Sequence, residues 1–240
     1  ELSHNFLQMA RKLEQMDDMR KEFISNISHD IQSPLSNIKG YTNLLNNDLL
    51  SKEVRTQYVT IINGEIKRLS SLTKQLLLLA TLDRNEDVMK KRVFNVGEQI
   101  KGLIRNYQWA INENGLMLNY SLPDIEIVGD PSLLNTVWDN LLANAIKYNK
   151  PNGSIEISIE ERGKSVFVTY NDTGLGMSDR ELERIFERFY RADRARTRTV
   201  EGTGLGLSIV ATIVELHNGH ITVKSKEKVG STFMIELPLK

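Results

Sequence analysis

Apolar residues recur every seven positions from the start of the chain, at Leu2, Met9, Met16 and Phe23. Phe6, Leu13 and Ile27 interleave four positions later in each repeat, and Arg20 breaks that second row. A seam of this kind needs a partner helix to cover it. The pattern continues through Ile31, Leu35, Ile38, Tyr41 or Thr42, and Leu45, until Asn46-Asn47-Asp48 marks a turn. A second stretch repeats it at Val54, Tyr58, Ile61, Glu65 or Ile66, Leu69, Leu72, Leu76 and Leu79. Two long helices joined by a short connection predict an antiparallel hairpin. Alone, such a hairpin leaves apolar surface in water, so it predicts pairing of two copies into a four-helix bundle. The alternative is a lone hairpin packed on the rest of the chain.

Arg84-Asn85-Glu86-Asp87 reads as a linker, and beyond it the periodicity alternates between helix and strand. Strands are expected at 93–96, 116–121, 126–128, 155–160, 166–170, 221–225 and 232–237, and helices at 98–112, 131–148 and 207–216. Pro131 suits a first helical turn, and Ser178 with Glu181 forms a capping-box pattern for a short helix. This alternation predicts a mixed sheet with helices on one face.

Composition removes several classes of function. Lys+Arg and Asp+Glu both number 31, so no net charge draws the chain to nucleic acid or an acidic membrane. Cysteine is absent, which excludes disulfides, thiolate catalysis and zinc-thiolate sites. The longest apolar run, Leu76 to Ala80, is far too short to span a bilayer. The sequence opens on Glu1 without a signal peptide or initiator Met, and we expect it to be a soluble piece excised from a longer protein.

Three segments carry chemistry. Asn140 and Asn144 lie one turn apart, with Lys147 on the next turn, beside an apolar stripe of Leu134, Val137, Leu141 and Ala145. Asn disfavours helix interiors because its amide competes for backbone hydrogen bonds, so this pair asks for an external partner. Asp172-Thr173-Gly174-Leu175-Gly176 follows a strand; its glycines allow close backbone approach, and a carboxylate there can accept an adenine amine hydrogen. Gly202-Thr203-Gly204-Leu205-Gly206 opens a helix, where free amides suit phosphate, although it lacks the Lys-Ser/Thr ending of a P-loop. Between these turns, five arginines fall within the eleven residues from Arg188, as in a mobile lid over a triphosphate, with Phe186 and Phe189 anchoring its base. Of four histidines, His4 should face solvent, and His217 and His220 should cap and pack around the Asn218-Gly219 turn. His29 lies outside the seam of Ile27, Ile31 and Leu35, precedes Asp30, and sits one turn before Pro34, which should bend the helix.

In order and spacing these motifs resemble those of the cytoplasmic core of a bacterial sensor histidine kinase. His29-Asp30-Ile31-Gln32-Ser33-Pro34-Leu35 resembles the phosphoacceptor box and Asn140–Tyr148 the N box. Asp172–Gly176, Phe186–Arg191 and Gly202–Leu207 resemble the first glycine box, the F box and the second glycine box. The resemblance implies an α plus α/β protein, a dimeric helical-hairpin bundle followed by an α/β sandwich of the Bergerat ATP-binding type. Its implied parts are a coiled-coil signalling helix over 1–22, a dimerisation and phosphotransfer hairpin over 23–84, and a catalytic domain over 89–240.

It further implies that His29 is phosphorylated on a ring nitrogen, with Asp30 holding the other nitrogen's proton as general base. Asn144 would ligate Mg²⁺ beside the phosphates of ATP, and Asn140 would assist there. Lys147 and Arg191 would neutralise phosphate charge, Tyr148 would pack at the base, and Asp172 would receive the adenine amine. Gly174, Gly176, Gly202, Thr203, Gly204, Leu205 and Gly206 complete the implied nucleotide site. Implied partners are a second copy and a response-regulator receiver domain, with no nucleic acid, and a membrane only through segments outside this sequence. That would place the chain on the cytoplasmic side of an inner or plasma membrane.

One residue departs from the family pattern. Four positions after the phosphohistidine the family commonly has Thr or Asn, linked to dephosphorylating the partner, and this chain has Ser33. Two rival classes remain. ATPases of the gyrase, mismatch-repair and heat-shock-chaperone type place a Glu where Asn140 stands, and they leave His29 unexplained. A degenerate kinase serving as a dimeric scaffold is opposed by the filling of every box.

Overall fold

Helix α1 spans Leu2–Leu45 and α2 spans Lys52–Leu82, as the two apolar rows predict. The computed structural model describes residues 2–47, 49–83, 89–191 and 202–239, and the heptad side chains Leu2, Met9, Leu13, Met16 and Arg20 lie outside what is described, as does the linker Arg84–Asp87. By internal contacts the chain divides into two units, Glu1–Leu77 and Leu78–Lys240.

In the first unit three contacts fix an antiparallel register. Arg55 Nη1 donates to the Leu45 carbonyl at 3.4 Å, the Tyr41 and Tyr58 rings lie 5.2 Å apart, and Asn37 Nδ2 donates to Glu65 Oε1 at 2.6 Å. The hairpin is therefore as expected, and it settles the choice between Glu65 and Ile66. Glu65 turns inward with a side chain 11% exposed, while Ile66 faces out. Leu35, expected in the seam, is 50% exposed, and Ile24, Leu44 and Val59 are exposed as well. Helix α1 runs through Pro34 without a break, although a proline withholds one amide from the ladder.

The second unit alternates as the periodicity predicts. Strand β1 (Arg92–Asn95) leads into α3 (Val96–Glu113), β2 (Met117–Ser121), β3 (Glu126–Gly129) and α4 (Pro131–Lys147). The hairpin of β4 (Ser154–Arg162) and β5 (Ser165–Asp172) follows, then α5 (Asp179–Leu182), α6 (Gly206–Leu216), β6 (His220–Lys226) and β7 (Gly230–Pro238). Five strands form a mixed sheet in the order β2-β4-β5-β7-β6, parallel between β2 and β4 and antiparallel elsewhere, and β1 pairs separately with β3.

Strand alternation decides which face is covered. Ile155, Ile157 and Ile159 of β4, Val166, Val168 and Tyr170 of β5, and Phe233, Ile235 and Leu237 of β7 are all buried. On that face lie Val137, Trp138 and Leu141 of α4 and Ile209, Val210 and Ile213 of α6, and α3 packs on α4 with Ile100 and Ile104 buried. Each such aliphatic side chain contributes about 1.5–3 kcal/mol when fully withdrawn from water. The last turn of α2, from Leu78, groups with this unit, where Arg188 donates to both Asp83 carboxylate oxygens at 2.9 and 2.7 Å.

Helix starts carry their own locks. Asn95 accepts the Glu98 amide, Asp130 accepts those of Ser132 and Leu133, and Ser178 with Glu181 forms the expected capping box. The Asp130 cap is itself held by His217, whose Nε2 accepts the Asp130 N–H at 2.9 Å while Nδ1 donates to the Ile213 carbonyl at 2.8 Å. His217 thus packs as expected, whereas His220 starts β6 exposed to solvent. Both ring nitrogens are used in the neutral tautomer, and burial holds this imidazole below its ordinary range.

A folded-state value below the unfolded one means that the unfolded chain takes up the proton first. The contribution of His217 is present above the unfolded value of about 6.5 and is lost as pH falls through the lower folded one. Urea titrations from pH 7.5 to 5 should show stability of the second unit falling on acidification. His217→Ala should be weaker at neutral pH by about 1–3 kcal/mol, since it strands the Asp130 amide, and should lose that part of the slope. An unchanged slope in the variant would remove this role.

Candidate functional site

On α1, His29 is displayed as the sequence predicts, its side chain 84% exposed. Its Nδ1 lies 3.5 Å from Asp30 Oδ1. An imidazole whose Nδ1–H points at a carboxylate carries its lone pair on Nε2, where it can attack an electrophile. Ser33 stands exposed one turn further along the helix, and its hydroxyl bonds no described residue.

The second cluster is assembled around the C-terminal half of α4. Asn140 Nδ2 donates to the Thr136 carbonyl at 2.7 Å, and a side chain on Gly206 would run into Asn140 Oδ1. The start of α6 is therefore pressed against this amide. Asn144 is half-buried, and among the described residues nothing hydrogen-bonds its side chain. Lys147 Nζ sits 4.8 Å above the Tyr148 ring, and a side chain on Gly202 would strike that ammonium group. Four of the predicted residues, Asn140, Lys147, Gly202 and Gly206, thus meet along one helix.

Asp172 ends β5 beside them. Its Oδ1 accepts the Gly174 N–H at 2.8 Å, and the loop is pinned to α4 because Leu175 N–H bonds the Tyr148 carbonyl at 3.0 Å. A side chain on Gly174 would collide with that carbonyl, so the close approach requires glycine. Partial burial pushes the Asp172 carboxyl up from its ordinary range, and the Gly174 and Ser231 amides pull it back. Gly204 takes a φ of 70° with its backbone on that of Phe189, whose N–H bonds the Gly204 carbonyl at 3.0 Å.

The remaining predicted residues sort by what they can offer. Leu205 has its side chain wholly in the core, so its backbone alone is available, and the Thr203 hydroxyl accepts its N–H at 3.3 Å. Gly176, with a φ of 65°, lies on the Lys226 carbonyl rather than on α4. Phe189 is buried, as expected of an anchor, and Phe186 is half-buried. Arg191 is half-buried at the edge of the described chain, and the rest of the expected lid, residues 192–201, lies outside the described residues.

Sequence reasoning missed the contribution of the β6–β7 turn. Ser231 is buried and pairs with Asp172 across β5 and β7, and Gly230, with a φ of 138°, lets β7 reach the Asp172 carbonyl. The signal was a glycine directly ahead of a strand, which marks close backbone approach.

This donor set fits a purine nucleotide. A half-buried carboxylate stands ready for an exocyclic amine. Opposite it, α6 begins without any side-chain cap, which leaves free amides and the positive end of the helix dipole for phosphate. The Asn144 amide, which bonds none of the described residues, could offer a hard oxygen ligand of the kind Mg²⁺ accepts beside phosphate oxygens.

Known proteins share both parts. The family described as the His Kinase A (phospho-acceptor) domain matches residues 19–85, and the histidine kinase-, DNA gyrase B-, and HSP90-like ATPase family matches residues 129–240. The heme sensor protein HssS of Staphylococcus saprophyticus is 36% identical over 234 residues, 98% of this chain and 50% of that protein. HssS of Staphylococcus haemolyticus is 34% identical over 237 residues, 99% of this chain and 51% of that protein. The chain spans about half the length of these curated relatives. A solved catalytic domain of the histidine kinase ThkA is 28% identical with a TM-score of 0.56, over 63% of this chain and 97% of that one. ThkA in complex with the response regulator TrrA shares the fold at 24% identity, with a TM-score of 0.75 over 95% of this chain and 66% of that one. With a phosphoacceptor hairpin carrying an exposed His-Asp pair, followed by an ATP-binding α/β domain, the chain belongs to the sensor histidine kinase family.

Proposed function

We propose that this chain binds ATP with Mg²⁺ through its second unit and transfers the γ-phosphate to His29 of the hairpin. An aspartate of a response-regulator receiver domain then takes the phosphate. The observation that carries this reading is the exposed imidazole of His29 with Nδ1 beside the Asp30 carboxylate. The Nε2 lone pair forms the new bond to the γ-phosphorus as the bond to the bridging oxygen breaks and ADP leaves. Asp30 takes up the Nδ1 proton as positive charge builds on the ring. On this reading Asp172 receives the adenine amine, Lys147 and Arg191 offset phosphate charge, and Asn140 and Asn144 face the triphosphate. Asn144 would hold the metal ion, whose contribution when bound is to neutralise phosphate charge.

The hairpin is the dimerisation element of the proposal. Leu35, Leu44, Val59 and Ile66 are apolar and exposed on a single hairpin, and a second copy is the partner the family supplies. Residues 1–22 would act as the signalling helix. The chain would sit on the cytoplasmic side of a membrane protein, since its relatives are about twice its length and named as sensors.

Incubation of the chain with γ-labelled ATP and Mg²⁺ should yield acid-labile, base-stable phosphate on His29. His29→Gln should abolish labelling and leave ATP affinity unchanged, and label persisting in that variant would sink the assignment. Asn144→Ala should weaken Mg²⁺-ATP binding at least tenfold with folding intact, because its half-buried amide supports no other group among the described residues. Unchanged affinity by calorimetry would remove its role.

Ser33 carries a weaker second activity in this proposal. Its hydroxyl, exposed one turn from His29, can both donate to and accept from a water directed at a phospho-aspartate. Lacking the branch that restricts Thr, it is less well fixed, so dephosphorylation should be slow. Decay of a phosphorylated receiver domain should be a few-fold faster with the chain than alone. Ser33→Ala should remove that acceleration while leaving most autophosphorylation. Equal decay with both proteins and with the regulator alone would leave a kinase without phosphatase action.

A further inference from the structure

We infer that Ser225 is a positioning residue for base recognition, acting through the β6–β7 turn on the Asp172 loop; this rests on the proposed reading of adenine by Asp172. Ser225 faces Ser231 across the β6–β7 pair, and their hydroxyl oxygens lie 2.9 Å apart. The Ser225 hydroxyl accepts the Met177 N–H at 2.8 Å and donates to the Gly230 carbonyl at 3.0 Å. A hydroxyl has one proton and two lone pairs, so the second lone pair takes the Ser231 hydroxyl and the group is saturated. Ser231 in turn pairs with Asp172 across β5 and β7, and Gly230 beside it packs on the Asp172 carbonyl. A path therefore runs from the Met177 amide through Ser225 and Ser231 to Asp172, the strand partner of Ser231.

The surrounding backbone shows why a hydroxyl is needed. Side chains on Gly176 and Gly230 would land on the carbonyls of Lys226 and Asp172, so turn and loop touch backbone to backbone at both ends. Glycine contacts allow approach but fix no register, since they present nothing directional. Ser225 supplies the directional link. The Lys228 N–H bond to the Leu175 carbonyl, at 2.5 Å, is independent of it and keeps the turn docked when the hydroxyl is removed.

The test measures ATP and GTP binding and kinetics on the full chain. Ser225→Ala should raise the Kd for ATP about tenfold, because it strands the Met177 amide and frees Ser231. GTP, which offers a carbonyl where ATP has the amine, should lose much less, so the ATP preference collapses while kcat at saturating ATP stays within about twofold. Ser225→Thr, which keeps the hydroxyl, should restore the preference. A lower melting temperature in Ser225→Ala with the preference intact overturns the inference and leaves a structural hydroxyl. Asp172→Asn separates the two levels. If it collapses the preference while Ser225→Ala does not, the inference alone fails; if it changes nothing, the reading of adenine by Asp172 fails and the inference with it. Should Ser225→Ala not fold, exchange of the Met177 amide in the unaltered chain decides: slow exchange supports the bond to Ser225, and exchange at the rate of an open loop overturns it.

Discussion

Much of the second unit's candidate site is placed by one backbone junction, where the Tyr148 carbonyl at the end of α4 accepts the Leu175 N–H. That carbonyl is an orphan of the helix terminus and would otherwise be left to water. By taking a partner from the loop after β5, it sets the Asp172 loop against Tyr148 at the end of α4. Thr173 strengthens the junction from the other side, its hydroxyl accepting the Ser154 N–H at 2.8 Å while its own N–H bonds the Ser154 carbonyl at 3.1 Å. Gly174 is the condition for all of this, because any side chain there would collide with the Tyr148 carbonyl. The uncapped start of α6 then rests on Asn140, so the Asp172 loop and the start of α6 are both held from the same helix.

Elements governed by periodicity were legible in the sequence. The strands and helices between Arg92 and Pro238, the Ser178–Glu181 capping box and the exposure of His29 all follow from rules about single elements. What escaped depends on two elements meeting. A heptad row cannot say whether Glu65 or Ile66 faces α1, because both lie near the seam, and Asn37 on the other helix decides it. Leu35 satisfies the same row and is half exposed, since one hairpin covers only part of the seam. Leu205 lies inside a glycine-rich motif, yet its apolar side chain belongs to the core and leaves the backbone for any ligand. Ser225 reads as the end of one strand and Ser231 falls just before the next, until the sheet sets them opposite each other and Ser231 opposite Asp172.

The family boundary makes a related point. The ATPase match begins at residue 129, although β1, α3 and β2 fold in the same unit as the residues it covers. α3 contributes Ile100 and Ile104 to the core, and its Gln99 accepts the Trp138 indole N–H at 2.9 Å. The segment before the match thus supports α4 from behind, and α4 carries the two asparagines. Its own sequence holds no ligand motif, because packing needs only apolar residues of suitable volume, and many combinations meet that need.

The amide at Asn140 bears on where the phosphate goes in the proposed reaction. A carboxylate beside the γ-phosphate can take a proton from water and so drive hydrolysis, whereas an amide has no comparable basicity. The Asn140 NH₂ is moreover committed to the Thr136 carbonyl, which holds its oxygen toward the start of α6. The carboxylate proposed for base work is Asp30, and it lies against the His29 imidazole. The nucleotide site then orients and neutralises without activating a nucleophile of its own. On the proposed reading phosphate would leave ATP only when His29 is presented to it, which would make the reaction depend on how the hairpin is held. Signalling by the proposed kinase would follow from that dependence, because a signal that moved the hairpin would change the rate while the nucleotide site stayed as built.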